Sequence, residues 1–124
     1  MKILVCDTDP ERNEDYNLKE IFMGMGLSPE IVEVVNSEEA MERVEAGEKF
    51  NLLIASYNFV KNDSYEVTEL ARKCRGLGIP SVFLDYPAHR GISSYVVDRT
   101  AAICVYKHDA RFLLIEAIKK VLKI

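Results

Sequence analysis

Five short, mostly apolar runs, the first of them apolar at every position, recur along the chain with longer amphipathic stretches between them. The runs are residues 3–6, 31–35, 52–55, 81–84 and 102–106. A strand that is apolar at every position is buried on both faces, the mark of a parallel sheet covered above and below. The intervening stretches carry helix signals. Pro10 suits the first turn of a helix, Leu18, Ile21, Phe22 and Met25 supply an apolar stripe, and Gly24 and Gly26 end it. Asn36 or Ser37 opens a helix that runs to about residue 46 and closes at Gly47. Asp63 or Ser64 opens another, with Val67, Leu70, Ala71 and Cys74 on its inner face and Gly76 at its end. Pro80 leads into the fourth run. Residues 88–100 show helical spacing in Ile92, Tyr95, Val96 and Arg99, but their β-branched content and Ser93-Ser94 make a poor intrinsic helix. Asp109 caps a last helix reaching Leu122, with Ala110, Leu113, Leu114, Ala117, Ile118 and Val121 facing inward.

Strand and helix thus alternate about five times, which predicts an α/β fold: a parallel sheet with helices on both faces and right-handed crossovers. The 124 residues suit one domain spanning 1–124, without linker, repeat or low-complexity tract. Met1 and the short tail after Leu122 fit a complete single domain. With 48% hydrophobic and 29% charged residues, the composition is globular. The net charge of −4 and the lack of a basic tract argue against a nucleic-acid partner. Lys119, Lys120 and Lys123 are cations at a helix C-terminus, where they suit the dipole. Cys6, Cys74 and Cys104 are odd in number and form no C-x-x-C pair, so neither a disulfide framework nor a zinc site is implied. Cys6 and Cys104 lie in apolar runs and read as buried small hydrophobes, which fits a reducing, cytoplasmic setting. The apolar start of the chain stops at Asp7, too short for a signal peptide, and no run approaches the roughly 20 apolar residues of a membrane span.

In a parallel sheet of this kind, sites form at the carboxyl ends of the strands. The residues there are Asp7, Thr8 and Asp9 after the first run, Ser56 after the third, Asp85 after the fourth and Lys107 after the fifth. With their flanks, these positions resemble the response-regulator receiver domain over essentially the whole chain. The family's first strand runs into acids and often a proline, as in Ile3-Leu4-Val5-Cys6-Asp7-Thr8-Asp9-Pro10. Its third ends in the phosphoacceptor aspartate; here Phe50-Asn51-Leu52-Leu53-Ile54-Ala55 leads to Ser56. Its fourth follows Ile-Pro and ends in Thr or Ser; here Ile79-Pro80-Ser81-Val82-Phe83-Leu84 leads to Asp85. Its fifth ends in Lys-Pro; here in Lys107-His108. The resemblance implies a flavodoxin-like (βα)5 receiver fold, a five-stranded parallel sheet of order 2-1-3-4-5.

The departures from the pattern concern chemistry. In the family, an acid pair after the first strand and the acceptor aspartate hold magnesium. Asp7 keeps the first place of that pair and Thr8 stands at the second. Asp9 lies one residue further, where the family often has an acid but not the principal ligand. Ser56 replaces the acceptor, Asp85 the switch hydroxyl, and Cys104 the aromatic that moves with it. An aspartate is ionised at neutral pH and attacks phosphorus directly, whereas a serine needs a base beside it. Asp85 is a poor one, because a carboxylate has a pKa of about 4, and its charge repels an incoming phosphoryl group. One or two carboxylates and a hydroxyl also make a weak magnesium site. The expectation is a degenerate pocket formed by Asp7, Thr8, Asp9, Ser56, Asp85 and Lys107, with no catalytic residue, metal or cofactor. In it Lys107 pairs with Asp7, Asp85 or both.

Ser56 is not in a G-x-S-x-G elbow, and His89 and His108 read as loop residues, which argues against a hydrolase. The 7–12 loop lacks the glycines of a phosphate cradle. Phe112, Ile115 and Leu122 extend past the inward arc of the last helix. The receiver resemblance makes them, with Tyr95, a candidate interface for a signalling protein or a second copy of the chain; the alternative is that they flank the core. The function expected is a receiver that acts in signalling by protein interaction, without phosphorylation, enzymatic activity, nucleic acid or membrane. The alternatives are phosphate acceptance on Ser56 or Asp85, and small-molecule binding above the sheet.

Overall fold

Alternation along the strands divides the side chains into two cores, one on each side of a single parallel sheet. The computed structural model describes residues 1–6, 18–34, 37–56, 64–85, 103–106 and 110–124. Its strands are β1 (Lys2–Cys6), β2 (Glu30–Glu33), β3 (Leu52–Ser56), β4 (Ser81–Asp85) and β5 (Ile103–Tyr106). The helices are α1 (Leu18–Gly24), α2 (Ser37–Glu45), α3 (Ser64–Gly76) and α4 (Ala110–Leu122). Every strand pair is parallel, and the order is β2-β1-β3-β4-β5, as expected.

Leu4 and Cys6 of β1, Leu53 and Ala55 of β3, and Phe83 of β4 join Ala40 and Val44 of α2 and Leu70, Ala71 and Cys74 of α3 in one cluster. The intervening positions turn the other way. Ile3 and Val5, Leu52 and Ile54, and Val82 meet Leu18, Ile21 and Phe22 of α1 and Ala117 and Ile118 of α4. The period-2 alternation of a strand puts neighbours on opposite faces, so consecutive apolar residues serve both layers. α2 and α3 cover one face of the sheet; α1 and α4 cover the other. At the β2 edge the same alternation holds with partial burial: Val32 packs on the first cluster and Ile31 on the second. The exposed Glu30 and Glu33 charge this edge, which discourages pairing with another strand.

Each of the four described helices is followed by a residue with positive φ. The N–H groups of Gly26 and Leu27 reach back to the carbonyls of Met23 and Phe22, those of Gly47 and Glu48 to Val44 and Arg43, and those of Gly78 and Ile79 to Arg75 and Cys74. This double closure needs a left-handed residue, and Gly26, Gly47 and Gly78 supply it at φ 76°, 86° and 78°. After α4, Lys123 holds φ 58° while Ile124 N–H donates to the Lys119 carbonyl. The helix ends expected at Gly24 and Gly76 are those observed, and the glycines two positions later make the turns.

Strand ends shift by a residue or so from the sequence reading. β2 begins at Glu30 and stops at Glu33, with Val34 buried just beyond it, while β3 and β4 each extend one residue further, to Ser56 and Asp85. The first helix is described from Leu18 onward, so the start expected near Pro10 lies outside the described residues, as do residues 88–100.

Candidate functional site

The strand order reverses at β1: the chain passes from β1 outward to β2, then returns to lay β3 on β1's other side. This is the topological switch point of an open α/β sheet, where the crevice outside the carboxyl ends of the strands is available to a ligand. The residues that close the strands there are set by register. Cys6 pairs with Ala55, so β3 continues one residue past β1's last pair to Ser56. Ser56 in turn pairs with Leu84, and the next residue of β4 is Asp85, which pairs with Tyr106 of β5. Ser56 and Asp85 therefore end neighbouring strands one register step apart. Their backbone positions are fixed from below by residues with no exposure: Leu52, Leu53, Ile54 and Ala55 in β3, and Val82 and Phe83 in β4.

Of the remaining residues expected at this end, Asp7, Thr8, Asp9 and Lys107 lie outside the described residues; Asp7 follows the last residue of β1, and Lys107 the last of β5. Cys104 is placed in β5, where its Cα partner is Phe83. The site is thus described through its β3 and β4 backbone. Among the described residues, no three His, Cys, Asp or Glu side chains gather in a way that would hold a metal ion.

Of the candidate interface residues, Tyr95 lies outside the described residues and Phe112 is placed on α4. Ile115 and Leu122 are half-buried and pack against the α1–α4 cluster. They border the core rather than stand clear of it. The strongly exposed large apolar side chains among the described residues are Met1, Met23, Leu77 and Ile124. All four sit at strand starts or helix ends, at the amino end of the sheet and away from Ser56.

A charged network that the sequence reading did not anticipate also lies at the amino end. Lys2 Nζ is 3.3 Å from Glu48 and 3.9 Å from Glu30, and 5.3 Å from the centre of the Phe50 ring. Its backbone N–H donates to Asn51 Oδ1 at 2.8 Å, while Asn51 N–H donates to the Lys2 carbonyl. Arg43 Nη1 donates to both Glu48 oxygens, at 3.0 and 3.2 Å. Burial pushes the Glu48 carboxyl up, but the hydrogen bonds and charges of Arg43 and Lys2 together outweigh it and hold the group below its ordinary value. The network fastens the starts of β1, β2 and β3 to the end of α2. The partners of Lys2 lie 28 to 49 residues away in sequence, so only the topology reveals them, whereas Arg43 and Glu48 are five residues apart.

Cys6 and Cys74 are buried thiols in the same cluster. Burial alone pushes the Cys74 thiol up to about 12, the behaviour of a structural cysteine rather than a reactive one.

No protein-family model and no curated protein matches the chain. Solved structures do. A two-component response regulator from Clostridium difficile is 21% identical with a TM-score of 0.74, over 99% of this chain and 96% of that one. A response regulator receiver protein from Burkholderia phymatum is 16% identical with a TM-score of 0.74, over 99% and 95%. The receiver domain of a sensor histidine kinase from Pseudomonas aeruginosa, solved with magnesium coordinated in its active-site cleft, is 15% identical with a TM-score of 0.74, over 99% and 98%. The fold is that of a receiver domain. In that fold β3 of this chain closes on a serine, and β4 on an aspartate.

Proposed function

We propose that this chain is an atypical receiver that acts in signal transduction as a protein-interaction module, without aspartyl phosphorylation. The observation that carries this reading is the end of β3: Ser56 is the final residue of the strand, one register step from the Asp85 that ends β4. A hydroxyl there lacks the charge with which an aspartate attacks phosphorus. The neighbouring acid is a weak base toward a hydroxyl at a carboxylate pKa of about 4.

The Pseudomonas neighbour holds magnesium in its cleft. The donors available to this chain fit that ion poorly. Magnesium favours carboxylate oxygens in near-octahedral order, and here Ser56 adds no charge while Thr8 takes the place of an acid beside Asp7. No step is therefore routed through a metal. On this reading Lys107 pairs with Asp7, Asp85 or both, and the pocket serves as a structural ion-pair centre. The domain is non-enzymatic and cytoplasmic. No helix among the described residues is long and apolar enough to cross a membrane, and the chain's −4 charge disfavours nucleic acid. Its partner is a signalling protein or a second copy, met through the α4 side, with Phe112 and Tyr95 as the residues to probe and Ile115 and Leu122 at the border with the core.

Incubation with a small phosphodonor and magnesium, followed by intact-mass measurement, tests this directly. The mass stays unchanged on this reading. A stoichiometric, magnesium-dependent gain of one phosphoryl group, mapped to Ser56 or Asp85, overturns it in favour of an unorthodox acceptor.

A further inference from the structure

We draw no further inference here: the strongest candidate, the exposed apolar side chains Met1, Met23, Leu77 and Ile124 at the amino end of the sheet, is a surface for which nothing in the structure shows what covers it.

Discussion

Truncating Phe83 to alanine removes one of the two largest fully buried side chains among the described residues from the middle of β4, two residues before Asp85. The ring has no exposure and belongs to the cluster formed with Leu4, Leu53, Leu70 and Cys74. β-strand neighbours fix the backbone on both sides, since Phe83 pairs with Ala55 and with Cys104, so the site has little freedom to collapse. Loss of a buried aromatic at such a position costs about 3–5 kcal/mol, transfer and cavity together. Domains of this kind are stable by about 5–15 kcal/mol in total, so roughly a fifth or more of the stability goes. At roughly 3–6 °C per kcal/mol for a chain of this length, the melting temperature falls by about 9–30 °C. Urea unfolding followed by far-ultraviolet circular dichroism gives the free energy from the midpoint, provided the slope m is unchanged. Phe83→Leu, which keeps most of the apolar volume, loses distinctly less. A loss below about 1 kcal/mol for Phe83→Ala at constant m would refute the closed core beneath the Ser56–Asp85 strand ends.

Three further outcomes are expected. Cys74 stays unmodified when the native protein is treated with iodoacetamide at pH 8 and is modified in urea; native labelling of Cys74, seen by peptide mapping, contradicts its burial. The Glu48 carboxyl is held below its ordinary value, so its contribution is present above the unfolded value of about 4.3 and fades as pH falls through the folded one. As a half-exposed ion pair it is worth about 0.5 kcal/mol; Glu48→Gln lowers the urea midpoint slightly at pH 7 and not at pH 3, and an equal loss at both values contradicts the ion-pair account. Lys107→Ala removes the cation from the proposed pocket and costs about 3–5 kcal/mol if the pair is buried; an unchanged thermal melt removes the ion-pair model.

How much of this was legible in the sequence depended on the range of the interaction. Ile3 to Cys6 and Leu52 to Ala55 announced two-sided strands because each consecutive apolar residue has a helix layer to meet. The reversal at β1 followed from the family resemblance rather than from periodicity. Helix ends were ambiguous wherever glycines came in pairs: Gly24 and Gly26, or Gly76 and Gly78, both read as stops, and only φ decides which turns the chain. Strand ends were underestimated at Ser56 and Asp85 because a polar residue breaks an apolar run without ending its hydrogen bonding. Ile115 and Leu122 lie at the margin of a wide apolar arc, where spacing does not separate a core border from a docking patch; both are half-buried and pack against the α1–α4 cluster. The links from Lys2 to Glu30 and Glu48 were invisible, since nothing local joins a strand start to residues 28 and 46 positions further on. The β3 terminus was the part of the site most open to sequence reasoning, because a single residue type sets its chemistry.

That terminus is also where the central claim can be tested most directly. The proposal holds that Ser56 is one of several linked departures, with Thr8, Asp85 and Cys104 altered alongside it, so restoring one acid does not restore the reaction. The Ser56→Asp variant, first shown to be folded by its thermal melt, is incubated with a small phosphodonor with and without magnesium and measured by intact mass. The account predicts an unmodified mass in both conditions. Stoichiometric, magnesium-dependent phosphorylation of that single variant contradicts it, and shows that the pocket lacks only its acceptor.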